Sequence, residues 1–205
     1  MKNESSKSID MDKIKWCIKQ HTDTNHMYDT YLPYEFHLRM VNQVANSFKN
    51  LLNDEVDYFT GQKEYESGRD VTETLQSACL LASWGHDLIE DTRVSYNDVK
   101  NMLGQAAADI IYAVSNEKGK NRKERANDKY YEGIRKTPGA VFVKLCDRIA
   151  NVQYSKMTGS RMFEMYRREN EEFCKQLGVA NSPQHECFPL CAYLLEIFET
   201  PHNAK

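Results

Sequence analysis

Apolar positions along the chain recur mostly with the period of a helix. Residues 9 to 20 carry Ile9, Ile14 and Ile18 and predict a short amphipathic helix, followed by a polar stretch, HTDTNHMYDTY, at 21 to 31. A long helix is expected from about Pro33 to Asn53, because Phe36, Met40, Val44, Phe48 and Leu51 fall at i, i+4, i+8, i+12 and i+15. Residues 54 to 70 lack such a stripe and contain two glycines, so they read as a loop or insertion, mobile or folded as a lid, with Tyr58 and Tyr65 expected at the surface and stacking on a base as the alternative. A second strong helix is expected over 71 to 90, where Val71, Leu75, Ala78, Ala82 and Ile89 share a face. Ser95 with Asp98 resembles a capping box opening a helix to Leu103; Gly104 ends it, and a buried helix follows over 105 to 115. The charged run at 116 to 128 reads as solvated surface. Pro138 suits a helix N-terminus leading into VFVKLCDRIANVQYSKM, and two further helices fill 161 to 177 and 186 to 199. No stretch alternates for more than a few residues. The expected fold is therefore all-α, a single domain over 1–205.

Composition narrows the function classes. A chain of 205 residues suits one domain with a substantial core. Its formal net charge of -3 argues against a nucleic-acid coat and against a polybasic membrane patch. The six cysteines, at 17, 79, 146, 174, 187 and 191, form no C-x-x-C pair and read as reduced structural residues. The N-terminal MKNESSKSIDMDKIKW has no apolar core of a signal peptide, which makes a cytoplasmic location the expectation. The expected partner is a small molecule, with no nucleic acid and no membrane; the oligomeric state is not fixed by the sequence.

Three of the predicted helices hold polar residues where apolar ones are expected. His37 lies among Phe36, Val41 and Val44; His86 and Asp87 end an apolar helix; Asp147 interrupts VKLCDRIAN. A buried carboxylate needs a cation or a hydrogen-bond network. One divalent metal held by His37, His86, Asp87 and Asp147 would satisfy all four, and the mixed nitrogen and oxygen set suits manganese, iron or zinc. Each residue alone has an ordinary alternative: His86 could donate to a backbone carbonyl, and Asp147 could pair with Lys144 or Arg148. Asp87, Glu90 and Asp91 would share a face at i, i+3 and i+4, with a metal on Asp87 leaving Glu90 and Asp91 for proton transfer. An acidic helix C-terminus is unfavourable on its own, which makes this position a candidate for function. Lys144, Asp147 and Asn151 repeat the theme at i, i+3 and i+7, a set suited to a phosphorylated ligand.

With these residues in place, a resemblance to a family follows. The order H…HD…D resembles the HD-domain metal-dependent phosphohydrolases. HDLIEDT at 86–92 resembles the H-D-x-x-E-D-T motif of RelA/SpoT-type hydrolase domains, and TPGAVFVKLCDRIAN at 137–151 resembles a segment of the small single-domain alarmone hydrolases of metazoan SpoT-homologue type. LPYEFHL at 32–38 is similar to their P-Y-I-x-H-P, with Leu38 in place of the proline. The resemblance implies the helical HD fold and removal of the 3′-pyrophosphate from guanosine tetra- or pentaphosphate. It implies manganese as the cofactor, with iron, zinc or magnesium as alternatives. It assigns His37, His86, Asp87 and Asp147 to the metal, Glu90 and Asp91 to the attacking water, and Lys144, Asn151 and Tyr166 to the substrate. The family's Arg-Lys pair before the first histidine has no counterpart; NHMY at 25–28 offers His26 and Tyr28 but no cation. Two alternatives stay open: another nucleotide phosphohydrolase, such as a 5′-nucleotidase or an NADPH 2′-phosphatase, and a nucleotide-binding regulator without turnover.

Overall fold

A computed structural model describes residues 11–63, 73–116 and 119–200, all helix and loop among those residues apart from isolated bridges. The elements, in order, are α1 (Met11–Asp23), α2 (Glu35–Phe48) with a 3₁₀ turn (Lys49–Leu51), α3 (Leu75–Gly85), α4 (Leu88–Asp91), α5 (Tyr96–Leu103), α6 (Gln105–Val114), α7 (Arg122–Arg125), α8 (Asp128–Lys136), α9 (Ala140–Met157), α10 (Met162–Gln176) and α11 (Phe188–Glu199). Ile9, Val71, Tyr65 and the rest of 64–72 lie outside the described residues.

The centre of the fold is α9 packed on α2 and α3, with α6 against α3 and α9, and α11 closing the far side of α9. The amphipathic α2 buries one stripe: His37, Leu38, Val41, Val44 and Ala45. By contrast α3 and α9 bury residues around most of their circumference, as central helices must. Local signals set the ends. Thr74 caps α3 by accepting from the Ser77 amide at 3.1 Å. Ser95 and Asp98 form the reciprocal capping box. Gly139, at φ 78°, begins α9 against α3, where an added Cβ would lie 2.3 Å from the Cys79 sulfur.

Helix α8 occupies a stretch for which the sequence predicts no element, α2 ends at Phe48 in a 3₁₀ turn short of Asn53, and the structure departs from the sequence expectation in two further places. The helix expected over 71–90 is interrupted: α3 ends at Gly85, His86 and Asp87 form a turn, and α4 resumes at Leu88. Gly85 lets α3 press onto α6 at this point, since a Cβ there would meet Ile111 at 2.7 Å. The second departure is Tyr58, which is buried rather than exposed, at 8%. Its amide donates to the Glu73 carbonyl at 2.9 Å, and the Leu75 amide donates to the Val56 carbonyl at 3.1 Å, so residues 56–58 are tied to the start of α3. The Asp57 carboxylate closes the turn by accepting from the amides of Phe59 and Thr60. Residues 64–70 of that predicted lid lie outside the described residues.

All six cysteines are free thiols and buried. The sulfurs of Cys174 and Cys191 stand 2.6 Å apart, joining α10 to α11. Among the described residues, no helix is long and apolar enough to cross a membrane.

Candidate functional site

The residues singled out from the sequence meet where α2, the α3–α4 turn and α9 converge. His37, His86 and Asp147 each offer one donor atom, and these atoms lie within 4.8 Å of one another. The two imidazole Nε2 atoms are 3.2 Å apart. His37 Nε2 lies 3.3 Å from Asp147 Oδ1, and His86 Nε2 lies 2.9 Å from Asp87 Oδ2. Asp87 is thus at the rim of the same cluster, 3.8 Å from His37 Nε2. Both histidines are 1% exposed.

The surroundings orient these donors. His86 Nδ1 faces the Ser83 carbonyl at 3.1 Å, which fixes that nitrogen as the donor and turns the Nε2 lone pair inward. The Tyr28 ring stacks on His37 at 4.7 Å, and the Tyr34 hydroxyl donates to Asp87 Oδ2. Asn151 donates to Asp147 Oδ1 at 2.6 Å, and Lys144 Nζ donates to Asp147 Oδ2 at 3.3 Å. Burial works against protonated His86, but the Asp87 and Asp147 carboxylates outweigh it and raise its pKa to about 9. Asp147 is driven down against its own burial, chiefly by the Lys144 ammonium and the two histidines. Convergent buried Nε2 and carboxylate donors fit a divalent cation, although the outer nitrogen of His37, Nδ1, has no hydrogen-bond partner among the described residues.

Beyond the cluster opens a cleft of about 320 Å³, lined on one side by Glu90 and Asp91. Glu90 is not free: Asn116 donates to it through Nδ2 at 2.9 Å and through its backbone amide at 3.2 Å. His26 Nε2 lies 3.9 Å from Asp91 Oδ2, and burial lowers the His26 pKa, so this neighbour is the neutral imidazole at pH 7. Burial, with help from the Asp87 and Glu90 charges, pushes the Asp91 pKa up to about 7. His26 itself stacks on Tyr34 at 3.8 Å, and its Nδ1 meets that of buried His21 at 3.0 Å.

The three residues expected at the substrate all line the cleft: Lys144, Asn151 and Tyr166. Lys144 stays protonated, since Tyr130, Asp147 and Asp87 together outweigh the burial that would lower its pKa. Asn151 is committed on both sides, donating to Asp147 and accepting from the Tyr28 hydroxyl at 2.9 Å. Several lining residues escaped sequence reasoning: Tyr34, Asn116, Arg125, Tyr130 and Arg148. Tyr34 carried a usable signal, since it precedes His37 by one helical turn. Arg148 was weighed only as a partner for Asp147, whose ion pair the structure gives to Lys144.

No family model matches the chain. Over 74 residues it is 27% identical to the guanosine-3′,5′-bis(diphosphate) 3′-pyrophosphohydrolase MESH1 of Drosophila melanogaster, a stretch covering 36% of this chain and 41% of that protein. The alignment therefore spans about two fifths of that relative's length. A solved structure presented as a metazoan ortholog of SpoT that hydrolyzes ppGpp and plays a role in starvation responses superposes with a TM-score of 0.61, at 21% identity and 97% coverage of both chains. The fold is the helical fold of that protein, and both similarities lie in the metazoan SpoT-homologue type that the sequence motifs resemble.

Proposed function

We propose that the chain is a metal-dependent hydrolase converting guanosine 3′,5′-bis(diphosphate) and water to GDP and pyrophosphate, a single HD phosphohydrolase domain working in the cytoplasm. The observation that carries this reading is the convergence of His37, His86 and Asp147 donors within 4.8 Å, at the end of a cleft that also contains Glu90 and Asp91. The resemblance of HDLIEDT to the SpoT-type motif and the partial identity to a ppGpp pyrophosphohydrolase supply the substrate.

His37, His86, Asp87 and Asp147 would hold the metal, with manganese as the first choice. When bound, such an ion polarises the phosphoryl group and acidifies water. This chain's residues do the rest. Asn116 fixes Glu90 so that its carboxylate faces the cleft in one orientation. Asp91, with its pKa pushed up to about 7, accepts a proton from the attacking water at neutral pH. A cation on Asp87 favours the ionised, accepting form of Asp91. The water oxygen bonds to the phosphorus attached to the 3′ oxygen; the bond between that phosphorus and the 3′ oxygen breaks; the 3′ oxygen leaves with a proton. Lys144, Asn151 and Tyr166 line the path of the nucleotide.

One observation favours a second reading, another phosphorylated nucleotide as substrate. The stretch at 25–28 has no cation, and Tyr28 is engaged with Asn151 and His37. The test is release of phosphate and pyrophosphate from a panel of nucleotides, including ppGpp, nucleoside 5′-monophosphates and NADPH, with and without manganese. Manganese-dependent pyrophosphate release from ppGpp at the highest kcat/KM supports the proposal. Phosphate release from another member moves the assignment to that nucleotide, and no turnover of any member leaves a binding protein.

A further inference from the structure

Arg148 follows Asp147 on α9 and lines the cleft. Its guanidinium carbon lies 4.1 Å from the ring centre of Phe173 and 4.6 Å from that of Tyr166, so two aromatic rings of α10 hold the fork. The side chain is only 11% exposed, and Nη1 lies 3.5 Å from Glu169 Oε2. That contact is long for a charge-assisted bond, and buried Nη1 has no hydrogen-bond partner among the described residues. An arginine retained only for structure would be expected to satisfy its donors, because an unpaired buried charge is costly.

Its position gives the unspent donor a use. Arg148 lines the cleft beside Lys144 and Asp147, and it also borders an adjoining hollow of about 550 Å³. That hollow carries Asp128, Glu169 and Glu172 and repels anions, so a phosphate approaches Arg148 from the cleft side. In the cleft, Lys144 is bonded to Asp147 at the metal end. A nucleotide with a second phosphate group, remote from the bond that breaks, needs a separate cation. A planar fork held between rings suits phosphate bidentately and loses little freedom on binding.

We infer that Arg148 is the anchor for the phosphate group that is not cleaved, and so selects nucleosides bearing a second, separate phosphoryl group. This rests on the hydrolase reading above and names a specificity residue for it. Glu169, on the hollow side, is the carboxylate that competes with the phosphate for the fork.

The test compares guanosine 3′-diphosphate with and without a 5′-diphosphate as substrates for the manganese-loaded wild type, Arg148→Met, Arg148→Lys and Glu169→Gln. Loss of a charge-assisted pair predicts a rise in KM of roughly 10- to 100-fold for the doubly phosphorylated substrate in Arg148→Met, larger than any change in kcat. The KM for the substrate lacking the 5′ group should move less than about threefold, Arg148→Lys should recover part of the loss, and Glu169→Gln should lower KM for the doubly phosphorylated form. An equal rise for both substrates, or a fall in kcat with KM unchanged, overturns the assignment. A calorimetric comparison of GDP with guanosine on the same proteins gives a second readout. If wild type turns over neither substrate, the hydrolase reading fails, while weaker GDP binding by Arg148→Lys with guanosine unaffected still supports the anchor. Equal GDP binding by wild type and the Lys variant rejects it, including where the Met variant does not fold.

Discussion

The two ends of the cleft are built on different principles. At the candidate metal end, His86, Asp147 and Asp87 are held by hydrogen bonds to Ser83, Asn151 and Tyr34, while His37 is stacked on Tyr28 and its Nδ1 has no hydrogen-bond partner among the described residues. At the other end, Arg148 is clamped by rings but only loosely paired, and Arg125 is exposed. The first end is held largely by hydrogen bonds within the chain; the second keeps donors that the proposed phosphate would engage. A coordination sphere tolerates little change, whereas a phosphate-recognition wall can vary with the substrate.

Breaking the rigid end should have the largest effect. His37→Ala, His86→Ala and Asp147→Ala are each expected to lose both bound metal, by elemental analysis, and turnover. Retained manganese in two of the three would remove the cluster from consideration as the metal site. Glu90→Gln and Asp91→Asn test the boundary between the ends. Each should keep the metal and lose ~10²–10⁴-fold in kcat, the usual cost of a positioned base; full turnover in the double variant would refute their role. Tyr34→Phe and Asn116→Ala remove groups one step out, where losses of ~10–100-fold are typical. For Tyr34 the loss should be read in metal affinity, for Asn116 in kcat. Tyr166→Phe should act on KM alone if the ring only contacts the nucleotide.

The smallest effects are in pH. With no metal bound, the carboxylates beside His86 raise its pKa to about 9, so ligation must expel a proton. Metal affinity should weaken as pH falls, and calorimetry at pH 7.5 in buffers of different ionisation enthalpy should register proton release. Asp91 gives the opposite dependence in the stability of the metal-free protein. Its pKa is raised from 3.8 to about 7 on folding, so between those values the folded chain binds more protons and stability falls as pH rises. Asp91→Asn should therefore raise the melting temperature at pH 8 and leave it little changed at pH 3.5.

The same contrast governs what the sequence reveals. The helices were legible because long stripes such as Phe36 to Leu51 survive in one strand of text, and the metal end because a histidine or aspartate amid apolar residues is conspicuous. The break at His86 and Asp87 was not, since it falls where α3 packs through Gly85 against Ile111 on another helix. Nor was the burial of Tyr58, which depends on backbone bonds to Glu73 across fifteen residues. Arg148 reads in the sequence only as a partner for Asp147, because the rings that hold it come from α10.

Gly139 is not among the candidate metal ligands, yet the spacing of those ligands depends on it. With Asp147 eight residues along α9, about 12 Å of rigid rod separates the two. A methyl at 139 would collide with the Cys79 sulfur and force a left-handed backbone on a residue that resists it, so α9 would have to lift from α3. Because α3 delivers His86 and α9 delivers Asp147, any such lift would be a change in bite width at the metal. Metal preference in this fold would then drift through a hinge-side contact, without any change in the ligands themselves.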